Sequence, residues 1–133
     1  MFGESLFTNG IIDSYSYGIR MGGTGTIYSH RFSNLYVDAI GIAGFVSNPH
    51  TIAISLADCQ FVGETHEEGA QSPQSIIKIV GGSDFVLSNV RVANMNTRNA
   101  AGGEALTIGA DGVPTSDVVV VGGSYHLRSS KYQ

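Results

Sequence analysis

Apolar and polar positions in this chain recur as one short template. An apolar residue is followed by any residue, then Asn, Asp or Gly, two further residues and another apolar one. It reads Phe7-Thr8-Asn9-Gly10-Ile11-Ile12, then Phe32-Ser33-Asn34-Leu35-Tyr36-Val37 and Leu56-Ala57-Asp58-Cys59-Gln60-Phe61. It returns as Leu87-Ser88-Asn89-Val90-Arg91-Val92 and Val120-Val121-Gly122-Gly123-Ser124-Tyr125. The central residues Asn9, Asn34, Asp58, Asn89 and Gly122 are separated by 25, 24, 31 and 33 positions. Self-similarity at such a period marks a repeat architecture, in which each unit buries its apolar side only by stacking on its neighbours.

Within a copy, the apolar residues stand two before, one after and three after the centre. Strict strand alternation cannot place −2 and +1 on one face. A left-handed central residue turns a corner and removes the conflict, and Asn, Asp and Gly tolerate that conformation. The five centres are therefore expected to form a corner ladder, with Asn34, Asp58 and Asn89 bonding one another or the backbone of the neighbouring rung. A further short strand is predicted at 18–21, 45–47, 76–79 and 105–108, each followed by a turn-rich stretch (GGTGT, NPH, GGSD, GADGVPTSD). Three short strands per repeat of about 24 residues describe one rung of a solenoid. Loops inserted at 63–74 and 94–104 account for the two longer spacings. The expected fold is all-β, a single-stranded parallel β-helix of about five rungs that forms one domain over 1–133.

On this template the chain resembles the right-handed parallel β-helix of the pectate-lyase-like superfamily, most of all the β-helix domains of phage tailspikes and tail fibres. The resemblance spans 5–127 and rests on the corner repeat, without a catalytic signature. It implies a polysaccharide ligand, because that superfamily holds polysaccharide lyases and hydrolases, uronan epimerases, adhesins and trimeric phage fibres. A β-sandwich of short strands is the competing architecture, but a sandwich has no reason to repeat one corner five times. The chain enters in mid-rung, and no amphipathic helix covers an open rung at either end. It is therefore expected to be a module of a longer fibrous protein, a homotrimer or a partner of other virion proteins.

Composition removes other classes. Gly is 18 of 133 residues, roughly twice the usual ~7 %, while charged residues are 14 % against the usual ~25 %. An apolar fraction of 42 % argues against a disordered chain, and the presence of just 2 Lys argues against a coiled coil or helical bundle. With 7 basic and 11 acidic residues the net charge is −4, so no nucleic acid is expected as a partner. No run approaches the ~18 apolar residues of a membrane span, so no membrane insertion is expected. The opening MFGESLFTNG lacks a basic segment followed by an apolar run, so no signal peptide is expected. Virion proteins reach the outside without one, and a virion or extracellular location is expected.

Candidate chemistry lies on outward positions. Arg20, Lys78 and Thr107 alternate with inward residues on the predicted further strands and should share one face. Two cations there, two rungs or about 10 Å apart, suit an anionic sugar chain, and the resemblance implies ligand binding on this face; solvated basic residues are the plainer alternative. Tyr36, Gln60 and Arg91, each two residues past a corner, offer a ring, an amide and a guanidinium to a carbohydrate or to a protomer. Asp13 and Asp38 follow the exits of adjacent rungs and form the best paired-carboxylate candidate for glycoside hydrolysis, which needs two carboxyls roughly 5–9.5 Å apart. Glu64, Glu67 and Glu68 crowd one loop with His66, without the tight ligand spacing of a metal motif, so no metal and no cofactor are expected. Asp84 and Asp117 read as turn residues, and Cys59 as an inward hydrophobe. Three functions remain in play: a virion appendage that binds a host-surface glycan, a polysaccharide lyase or glycoside hydrolase, and a plain structural shaft or spike.

Overall fold

The structure, a computed structural model, describes residues 4–14, 16–38, 43–63, 75–94 and 104–127. Their strands are β1 (Ser5–Asp13), β2 (Tyr17–Arg20), β3 (Ile27–Asp38), β4 (Ala43–Val46), β5 (Thr51–Ala57) and β6 (Gln60–Gly63). They continue as β7 (Ser75–Ile79), β8 (Ser83–Ser88), β9 (Arg91–Asn94), β10 (Glu104–Ile108), β11 (Val118–Val121) and β12 (Ser124–Leu127). Every strand pairing is parallel, and no helix occurs among the described residues. One sheet stacks β1, β3, β5, β8 and β11 before the corner and β1, β3, β6, β9 and β12 beyond it. The second stacks β2, β4, β7 and β10. The chain is an all-β parallel solenoid.

The corner follows from backbone conformation. Asn9, Asn34, Asp58, Asn89 and Gly122 have φ of 57°, 51°, 52°, 51° and 65°, left-handed in every copy. A second left-handed column lies five residues earlier, at Ser29, Ala53, Asp84 and Asp117, with φ of 60°, 58°, 60° and 53°. This bend lets the residues on either side of it turn inward. Its aspartates are visible as turn residues in the sequence; Ser29 and Ala53 give no sign of it, since tertiary stacking imposes the bend there at a cost of order 1 kcal/mol.

Inside the solenoid, residues stack on their counterparts. Phe32, Leu56 and Leu87 are register partners, as are Val37, Phe61 and Val92. The second sheet contributes the register row Ile19, Phe45, Ile77 and Leu106. Phe45, Phe61, Phe85 and Ile77 are fully buried. The Phe7 and Phe32 rings stack at 5.0 Å and 8°, and Phe32 meets Phe45 edge-on at 6.4 Å, which joins the two sheets across the interior.

The expectation of about five rungs is corrected to about three turns. Segments 27–46, 51–79 and 83–108 each carry the bend or its equivalent entry, a corner and a strand of the second sheet. Among the described residues, no bend precedes the Asn9 corner, and the Gly122 copy reaches no second-sheet strand. A corner motif counts layers of strand, not closed turns. Packing shows the same difference, for Leu56 is 1 % exposed while Phe7 and Val120, in the same interior column, are 49 % and 42 % exposed.

The turns between rungs are tied by buried polar groups. Asn48 Nδ2 donates to the carbonyls of Gly23 (3.2 Å) and Gly25 (3.4 Å), and its Oδ1 accepts from the His50 amide (2.8 Å) and the Thr51 hydroxyl (2.9 Å). Ser47 Oγ donates to the Gly81 carbonyl (3.3 Å) and accepts from the Val80 amide (2.9 Å). Three successive turns are thereby locked together. Gly82 is required at this point: its φ is 102°, and a Cβ would sit 1.9 Å from the Thr51 carbonyl oxygen.

Candidate functional site

Beyond the corner, alternation sends every second residue outward. Ile11 pairs with Tyr36, Tyr36 with Gln60, Gln60 with Arg91 and Arg91 with Ser124. Tyr36, Gln60 and Arg91 thus stand on consecutive strands, about 4.8 Å apart. Two positions further on, Asp13 is the register partner of Asp38. The Tyr36 hydroxyl donates to Asp38 Oδ2 over a long 3.4 Å. Candidates that the sequence presents as two separate groups therefore lie on one face, with the carboxylates at one end and Arg91 at the other. Strand periodicity contains this relation, but the exact alignment of Asp13 with Asp38 needs the register.

The face begins at the corner itself. A surface groove there is lined by Asn9, Asn34, Tyr36, Asp58 and Gln60. Asn34 Nδ2 donates to Asn9 Oδ1 at 2.7 Å, and Asn89 Nδ2 donates to Asp58 Oδ1 at 2.7 Å. An ionised carboxylate only accepts, and Asn34 turns its donor toward Asn9. The column therefore forms two dyads, with Gly122 adding only backbone.

Arg20, Lys78 and Thr107 occupy the second sheet. Register runs Arg20 to Val46, Val46 to Lys78 and Lys78 to Thr107. The two cations are two strands apart, with Val46 between them. Arg20 places its guanidinium 5.0 Å above the Tyr17 ring, an aromatic support that the sequence reading did not single out. Thr107 is engaged by its own chain, in hydrogen bonds with Ser75 and Glu104. Glu104 thus brings a carboxylate to the end of the basic column. This row and the Tyr36 row belong to different sheets, so the structure provides two separate faces.

Other groups have mainly structural roles. Cys59 is buried, its Sγ donating to the carbonyls of Ala57 (3.3 Å) and Phe32 (3.5 Å). Burial pushes its thiol above the ordinary value, against the opposing effect of backbone hydrogen bonds, which disfavours a nucleophilic thiolate. Burial likewise raises Tyr125, whose hydroxyl has no partner among the described residues. Near the first described strands, an open cavity of about 830 Å³ is lined by Phe7, Ile19, Met21, His30 and Phe32. Glu64, His66, Glu67 and Glu68, like most of loops 63–74 and 94–104, lie outside the described residues.

Comparison with protein-family models, curated proteins and solved structures finds no match to this chain.

Proposed function

We propose that this solenoid is a module of a virion appendage of the tailspike or tail-fibre kind, and that its post-corner face binds a host-surface glycan. The observation that carries the reading is the in-register row Tyr36–Gln60–Arg91 beside the Asp13–Asp38 pair. A ring face, an amide, a guanidinium and carboxylate acceptors meet the two needs of sugar recognition, stacking on C–H surface and hydrogen bonding to hydroxyls. Parallel strands hold these groups rigidly before any ligand arrives, which lowers the ordering cost of binding. The Arg20–Lys78 face supplies a second, cationic surface for an anionic polymer. Trimeric assembly and a virion or extracellular location belong to the same reading and are supported by the fold resemblance alone.

A second reading rests on the pairing of Asp13 with Asp38. One strand spacing, about 4.8 Å, separates their backbones, which allows the ~5–5.5 Å carboxyl separation of retaining glycoside hydrolysis. Retaining hydrolysis would use one of the two as general acid and the other as nucleophile.

A glycan array and a capsule or O-antigen depolymerisation assay separate these readings. Binding without turnover, weakened by Tyr36→Ala or Arg91→Ala, is the expected outcome. Turnover abolished by Asp13→Ala or Asp38→Ala establishes the hydrolase instead, and silence in both assays leaves the structural shaft.

A further inference from the structure

The corner ladder holds one amide unlike the others. Asn34 and Asn89 commit their Nδ2 groups to the oxygens of Asn9 and Asp58. Asn9 is reversed: its Oδ1 accepts from Asn34 at 2.7 Å, and its Nδ2 has no protein partner among the described residues. The next residue also differs. Asn34 precedes Leu35 and Asn89 precedes Val90, both buried, whereas Asn9 precedes Gly10. A side chain on the following residue obstructs approach of its backbone nitrogen to the amide carbon, and glycine has none. Asn9 is also exposed at the first described rung, within reach of water.

We propose that Asn9 is a site of spontaneous modification, in which the Gly10 backbone nitrogen attacks the Asn9 side-chain amide. The Gly10 nitrogen loses its proton to solvent base and bonds to Asn9 Cγ. The cyclic adduct takes a proton from solvent on Nδ2, the Cγ–Nδ2 bond breaks, and ammonia leaves a succinimide. Water opens that ring at either carbonyl, producing aspartate or isoaspartate at position 9, with no change of oxidation state. Negative charge develops on Oδ1 as the nitrogen adds, and the Asn34 Nδ2 donor already faces that atom. A donor fixed where an oxyanion forms lowers the barrier. The ladder that stabilises the corner thus also promotes chemistry at its first amide.

The consequence falls on the groove beyond the corner. Aspartate at 9 adds a carboxylate beside Tyr36, Asp58 and Gln60. Isoaspartate lengthens the backbone by one carbon at a left-handed corner and disrupts the pairing of Gly10 with Leu35.

The test incubates the folded full chain at mildly alkaline pH and body temperature, followed by tryptic mass spectrometry. Trypsin releases Asn9 in 1–20, a peptide with no other Asn, and Asn89 in 79–91. Peptide 1–20 is expected to gain the mass increment of amide-to-acid conversion while 79–91 stays unchanged. Asn34→Asp, which keeps a residue that tolerates the corner but removes the donor, is expected to slow conversion several-fold; mere loosening of the rung would accelerate it. The proposal is overturned if 1–20 stays intact in the folded chain while the same chain in urea converts. It is equally overturned if Asn34→Asp reacts at the parent rate or faster.

Discussion

Tyr36, Gln60 and Arg91 each precede Val37, Phe61 and Val92 by one residue on the same three strands. The inner row is buried to 1 % exposure or less and uniformly apolar; the outer row is partly or fully exposed and shares no chemical type. Backbone geometry and register are common to both rows. Packing therefore dictates one row, while the other is free to carry recognition. A parallel solenoid separates packing from surface chemistry at the level of adjacent residues.

Substitution on each row tests that separation most sharply. Phe61→Ala is expected to cost about 3–5 kcal/mol, the range for emptying a packed aromatic site. Gln60→Ala should stay within about 0.5 kcal/mol, as surface changes do. Urea unfolding measures both, and similar losses at the two positions would break the comparison.

Next in size is Gly82→Ala. Its methyl would collide with the Thr51 carbonyl in a backbone conformation unfavourable to alanine, and a cost of about 2–4 kcal/mol is expected. Asn48→Ala should follow at about 1–3 kcal/mol, because the buried Thr51 hydroxyl loses its acceptor and the Gly23 and Gly25 carbonyls lose their donor. Hydrogen exchange should then show faster opening at 23–25 and 48–51, with β6 and β9 still protected. Both substitutions probe whether the turns, as well as the interior rows, keep the rungs in register.

The smallest effect is expected at the boundary between the rows. Asp58→Asn supplies the donor that the ionised carboxylate lacks, which allows one continuous ladder from Asn9 to Asn89. A gain of about 0.5–1 kcal/mol is expected by thermal unfolding. No gain would show that the two dyads already satisfy the column.

Much of the fold was legible because the corner imposes a residue type. Asn9, Asn34, Asp58, Asn89 and Gly122 announce a left-handed backbone, and the −2, +1 and +3 positions then declare the interior. The second bend was only half legible, since Ser29 and Ala53 are forced left-handed by the stack and not chosen for it. The number of turns is not legible, because the terminal copies look like the central ones in sequence, while neither combines bend, corner and second-sheet strand among the described residues. On the candidate face, period-2 alternation was enough to place Tyr36, Gln60 and Arg91 in one row. The alignment of Asp13 with Asp38 beside it depended on strand register, and Glu104 and Tyr17 entered the second face through contacts that spacing does not encode.

The most direct measurement compares glycan-array binding and thermal unfolding for the parent chain, Tyr36→Ala and Arg91→Ala. Binding by the parent, loss in both variants and stability within about 1 kcal/mol of the parent are the predicted result. Undiminished binding in both variants, or unfolding on the scale of Phe61→Ala, would contradict the assignment of recognition to the outer row.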